Sequence, residues 1–130
     1  MLSETLSFLN STLINCCAIN YQFMRWNGKI KNPYFIGEAS EMDGGNEDGM
    51  RRSIFALSGF STGSWAELFE AKEKIINTLC RIATVLPCGV GVAISYTNTI
   101  TIPSDGDNPD IKRIQMEFEV HEWRNKNYVR

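Results

Sequence analysis

Histidine occurs once in this chain and cysteine four times, so the usual raw material of metal and acid–base chemistry is scarce. Cys16 and Cys17 are adjacent, which does not match the paired-ligand spacing of a zinc site, and Cys80 and Cys88 stand too far apart for it. Free thiols, buried or half-buried, are therefore expected, with no metal and no disulfide. No apolar run approaches the roughly 18 to 20 residues that a membrane-spanning helix needs. A glycine-rich phosphate cradle and a nucleophile flanked by glycines are both missing. Basic excess is missing too: 13 Lys and Arg stand against 15 Asp and Glu, a net charge of −2. That balance argues against a dedicated nucleic-acid binder while leaving room for a local basic lining.

What is present suits one globular domain over residues 1–130. Apolar residues make up 43% of the 130 and charged residues 22%, enough to bury a core without metal or disulfide help. Leu2, Leu6, Leu9, Leu13 and Cys17 recur at spacings of three and four, which predicts a helix over 3–17, broadened by Phe8 and Ile14. With Glu4 and no base ahead of the apolar residues, this stretch is a poor secretion signal, and folding in a cytoplasm is expected.

Ser64-Trp65-Ala66-Glu67 has the form of a capping box, a hydroxyl at the cap and a carboxylate three residues on. It predicts a helix over about 64–82 whose buried stripe is Trp65, Leu68, Ile75, Leu79 and Ile82, widened by Phe69 and Ile76. Strands are predicted over Tyr34–Glu41, Met50–Ser61, Val90–Ile102 and Lys112–Trp123. Tyr21–Trp26, with the Asn27-Gly28 turn and Lys29–Lys31, reads as a small hairpin. Val90, Val92, Ile94, Tyr96, Ile100 and Ile102 fall in one alternating phase; so long a strand either bends near Asn98 or projects as an arm. In the last strand Ile114, Met116, Phe118 and Val120 point inward, and Arg113, Gln115, Glu117, Glu119 and His121 outward. Residues 124–130 form a short polar tail. The expected class is α+β: an antiparallel-rich sheet of four to five strands with both helices packed on it.

Chemistry-bearing residues are few. His121 has Glu119 in phase and Glu122 one step over, but no marked nucleophile, and reads as an exposed or interface histidine. Glu117 and Glu119 stand roughly 6 to 7 Å apart on one strand face, which reads as ordinary charge alternation. Trp26, Trp65 and Trp123 lie near element ends, where packing is expected; Trp123 is also an interface candidate. Glu38, Glu41, Asp43, Glu47 and Asp48 form the clearest charge cluster, either a solvated loop or a segment that docks on a basic neighbour. Lys29, Lys31, Arg51, Arg52, Lys112 and Arg113 sit mostly at strand ends, as lone surface bases or as a DNA-facing lining if they converge.

The element order, together with Asn32-Pro33-Tyr34-Phe35-Ile36-Gly37-Glu38, Asn46-Glu47-Asp48-Gly49, Gly63-Ser64-Trp65 with Glu67-Leu68, Ala71-Lys72-Glu73-Lys74-Ile75 and the strand Lys112–Trp123, resembles a phage family. It is similar to the tail-terminator and tail-completion proteins of long-tailed bacteriophages, and to small head–tail proteins of phages and prophages of Gram-positive bacteria. The resemblance implies a non-enzymatic subunit without cofactor, assembling as a ring, typically a hexamer, at the head–tail junction of a virion. There it would cap the tail tube protein and dock to the head connector or stopper protein, without sequence-specific nucleic acid or membrane. It supplies no catalytic residue. For the ring, the acidic cluster facing Arg51, Arg52 or Arg113 of the next copy is the expected contact, with Trp123 beside it. Another small connector or minor tail protein is an alternative within the same machine. A small α+β enzyme using His121, or a nucleic-acid-binding module, is an alternative of a different class.

Overall fold

Ser64 caps the second helix as its sequence predicts: its Oγ accepts the Glu67 N–H at 3.2 Å. The reciprocal half of the box does not form among the described residues, because the Glu67 carboxylate packs against Gly63, where a Cβ would meet Oε2 at 2.7 Å. The computed structural model describes residues 1–42, 50–102 and 110–124. The sequence-predicted loop with Asp43, Glu47 and Asp48, the turn at 104–109 and the tail beyond Arg124 lie outside the described residues.

The elements in chain order are α1 (Ser3–Asn15), β1 (Asn20–Phe23), β2 (Tyr34–Glu41), β3 (Met50–Ser61), α2 (Trp65–Leu79), β4 (Ala83–Val85), β5 (Val90–Ile102) and β6 (Lys112–Arg124). The class is α+β, with a six-stranded sheet in the order β1-β2-β3-β6-β5-β4. All neighbours are antiparallel except β1 and β2.

The extra strands have physical reasons. The expected hairpin after Tyr21 does not form: β1 pairs parallel with β2, Tyr21 beside Phe35 and Phe23 beside Gly37. The chain bends at Gly28, which has φ +93°, but the Gln22 side chain occupies the Asn27 amide and carbonyl, and no returning strand pairs there among the described residues. Helix α2 ends at Leu79 rather than Ile82 because Ile82 O accepts the Ile94 N–H at 3.1 Å, drawing the chain into the sheet as β4.

One sheet face carries the core. Phe35, Phe55, Leu57, Ile114, Met116, Phe118 and Val120 are fully buried on it, beneath Leu9 and Leu13 of α1 and Leu68, Ile75 and Leu79 of α2. Each such side chain contributes about 1.5–3 kcal/mol by leaving water. Two residues expected to widen the helix stripes stay outside: Ile14 is 50% exposed and Phe69 38%. Phe69 instead lies beneath Lys72 Nζ and beside Trp65. Gly59 faces Phe35 across the β2–β3 ladder and leaves room for its ring.

Strand β5 has an irregular register between Tyr96 and Asn98, at the predicted bend. The extra residue reverses the alternation. Val90, Val92 and Ile94 point to the core, but Ile100 and Ile102 share a face with Gln115 and Arg113, and Ile100 is 53% exposed. The single apolar phase expected from Val90 to Ile102 is thus split between the two faces.

Candidate functional site

Both helices cover the core face. The opposite face of the sheet carries Arg52, Glu119, His121 and Trp123 at one end and Tyr34, Phe60 and Arg113 at the other and, among the described residues, no helix packs on it. Cross-strand pairing decides which groups meet there. Arg52 on β3 is directly opposite His121 on β6, and Ile54 is opposite Glu119. Glu119 Oε1 consequently receives two partners, His121 Nε2 at 3.0 Å and Arg52 Nη1 at 3.5 Å. The His121 ring also lies 5.8 Å from Trp123, which is 37% exposed.

His121, read from the sequence as an exposed or interface histidine with Glu119 in phase, is half-buried and pairs with that carboxylate. Ser95 stands opposite Glu119 on β5, and among the described residues no hydrogen bond joins its hydroxyl to His121. The concavity at Ala93, Ser95, His121 and Trp123 holds about 170 Å³. That is below the roughly 300–1,000 Å³ of ordinary small-molecule sites. Among the described residues, larger concavities include one of about 510 Å³ between α1 and Leu86–Cys88 and one of about 380 Å³ between Cys17–Asn20 and α2.

At the far end of the same face a row of rings crosses the sheet. Trp26 lies 5.3 Å from Tyr34, Tyr34 stacks on Phe60 at 5.1 Å, and Arg113 sits over Phe60 at 5.3 Å. The six bases singled out in the sequence do not converge as one group. Arg113 and His121 are eight residues apart on β6, roughly 26 Å at the rise of a strand. Arg113 thus lies far from Arg51 and Arg52, while Lys29 and Lys31 belong to the loop that carries Trp26.

Glu38 and Glu41 are exposed on the part of β2 that runs past the end of β1. The Met1 amino group, bonded to Glu41 at 2.5 Å, holds that carboxyl below the usual carboxylate range, with Arg51 adding a smaller share. Glu122, which the sequence offers only as a neighbour of His121, is a buried group. It continues the inward phase of Ile114 to Val120 and is only 3% exposed, a signal legible in the alternation itself. Cys17 is buried, and burial pushes its thiol up. Cys16 and Cys80 are exposed and Cys88 half-buried, all four as free thiols. No group of three or more His, Cys, Asp or Glu suited to a metal occurs among the described residues. Among them, too, no helix is long and apolar enough to cross a membrane.

No protein-family model matches the chain. No curated protein matches it either. Among solved structures it is similar to a chain in the virion of a native gene transfer agent (GTA) particle, with a TM-score of 0.63 and 14% identity. The match covers 87% of this chain and 83% of that one, so at this low identity the two share a fold over nearly their whole lengths.

Proposed function

We propose that this chain is a non-enzymatic, phage-type virion assembly protein, a tail-terminator or head–tail joining subunit that forms a ring. The observation that carries the reading is the likeness of fold, over nearly the whole length, to a chain of the virion of a gene transfer agent particle. The residue-level resemblance described above points the same way. So does a sheet whose second face displays rings and paired charges over shallow relief rather than a closed cleft. In this reading the ring docks one end on the tail tube protein and the other on the head connector, at the head–tail junction of the virion.

The ring contact is heterologous, one patch meeting a different patch of the next copy, which is the geometry that closes into a ring. The acidic segment begins at the end of β2 with Glu38 on the outer face and Glu41 on the other, and Asp43, Glu47 and Asp48 follow in sequence. Its counterpart on the neighbour is the end of the central strands β3 and β6, with exposed Arg51 on one face and half-buried Arg52 and Trp123 on the other. Arg113, at the opposite end of the sheet, belongs to a separate patch.

Light scattering of the purified chain tests this. The expected mass is that of several copies, falling towards one copy when the five acids are replaced by Ser. A mass of one copy at all concentrations, with no binding to tail-tube ends, overturns the reading.

A further inference from the structure

We propose that the loop of residues 24–32, together with Arg113, is a sequence-independent contact for the phosphate backbone of double-stranded DNA. The loop is basic in an otherwise acidic chain. Between Glu4 and Glu38 there is no Asp or Glu, and Arg25, Lys29 and Lys31 are the charged residues of that stretch. All three are exposed, and none takes part in an ion pair among the described residues.

The loop is built rather than loose. Met24 N–H donates to Gly37 O at 2.8 Å, and Trp26 Nε1 donates to Lys29 O at 3.1 Å. Gln22 clamps Asn27 by two hydrogen bonds, at 2.7 and 2.9 Å. Asn20 Nδ2 donates to Lys31 O, and Asn32 Nδ2 donates to Thr62 Oγ1 at the end of β3. These bonds hold the loop backbone at Met24, Asn27, Lys29 and Lys31, and the cationic side chains are exposed. A loop whose backbone is already held in this way loses little further backbone freedom on meeting a polyanion.

Arg113 joins the loop through the ring row. Trp26 packs on Tyr34, Tyr34 on Phe60, and the guanidinium lies over Phe60. Its Nε is buried without an acceptor among the described residues. Tyr34 and Phe60 stack on each other and Arg113 covers Phe60, which leaves little of those two ring faces for unpaired bases; Trp26, tilted at 57° to Tyr34, is half-buried. Phosphate contact, and hence a duplex, fits this arrangement better than a single strand.

Fluorescence anisotropy on the full chain tests the proposal, with a labelled random-sequence duplex of about 30 base pairs and the matching single strand, from about 20 to 300 mM salt. The duplex is expected to bind. The logarithm of its binding constant should fall against log salt with a slope of about −3 to −4, as for three or four phosphates per copy. The R25Q/K29Q/K31Q variant should bind at least ~10-fold more weakly with a slope near −1, and R113Q should flatten the slope by about one unit. K72Q/K74Q, on α2, should change neither, and circular dichroism should show each variant folded.

Absence of duplex binding at the lowest salt, or wild-type binding by the triple variant, overturns the proposal. So does tighter single-strand binding that Trp26→Ala abolishes, which would make the row a stacking platform. A fall in oligomer mass in the triple variant without DNA would also overturn it, by making the loop a contact between copies. The proposal stands apart from the ring reading: a chain that stays monomeric yet shows the slope and its loss would overturn the ring and keep the DNA contact.

Discussion

Glu122 Oε2 accepts a hydrogen bond from Thr5 Oγ1 at 2.5 Å, across 117 residues of sequence. It also accepts the Leu2 N–H at 3.1 Å. Leu2 is the N-cap of α1 and makes no side-chain cap of its own, so a carboxylate from the end of β6 serves the opening of this helix. A negative group at a helix N-terminus also suits the helix dipole. One side chain thereby joins the first helix to a central strand.

Loss of that joint should be costly, because a buried carboxylate deprived of a donor keeps its desolvation penalty. Thr5→Val should lower unfolding free energy by about 1.5–3 kcal/mol. In a double-mutant cycle with Glu122→Gln, read from urea midpoints, the two changes should couple by more than about 0.5 kcal/mol. Additive effects would mean the contact carries no energy of its own.

Gly59→Ala should destabilise the core by about 1–3 kcal/mol, the usual cost of overpacking. The new Cβ would stand 2.5 Å from Phe35 Cε2 and 3.2 Å from Ile114 Cγ1. Gly91→Ala is the matched comparison: its Cβ would meet nothing nearer than 3.8 Å. Thermal melts of the two variants should separate clearly, and equal melting temperatures would contradict the packing described around Phe35.

Burial raises the pKa of the Tyr21 phenol, whose hydroxyl donates to Asn10 Oδ1 at 2.6 Å. A phenol raised in the folded state stabilises the fold below its unfolded pKa of about 10, and that contribution is lost as pH climbs above it. In an absorbance titration at alkaline pH, one tyrosine-sized step should wait until near-UV circular dichroism is lost. Tyr21→Phe should remove that step and cost about 1 kcal/mol at neutral pH. A delayed step that persists in Tyr21→Phe would assign the behaviour to another tyrosine.

The long elements were legible without coordinates. Strands Tyr34–Glu41, Met50–Ser61 and Val90–Ile102 run where alternation predicts, and β6 is longer by one residue. Their period is local and repeated many times, so it survives small errors of reading. Ser64 likewise marks the start of α2, since a cap acts within one turn. The candidate site was only half legible. Glu119 beside His121 followed from a shared strand face, whereas Arg52 joining them depended on the β3–β6 register.

Composition and periodicity alone determined the α+β class, the scarcity of metal-type ligands, and the two helices with their inward stripes. The tertiary structure alone decided what depends on partners distant in sequence. It put β1 parallel to β2, recruited β4 to the edge, and turned Ile100 and Ile102 to the outer face through one irregular step in β5. It also parted Arg113 from Arg52 and set Glu122 beneath α1. The reason is that propensity and alternation act over a few residues, while register, strand order and the pairing of buried charge are settled by which distant surfaces pack against each other.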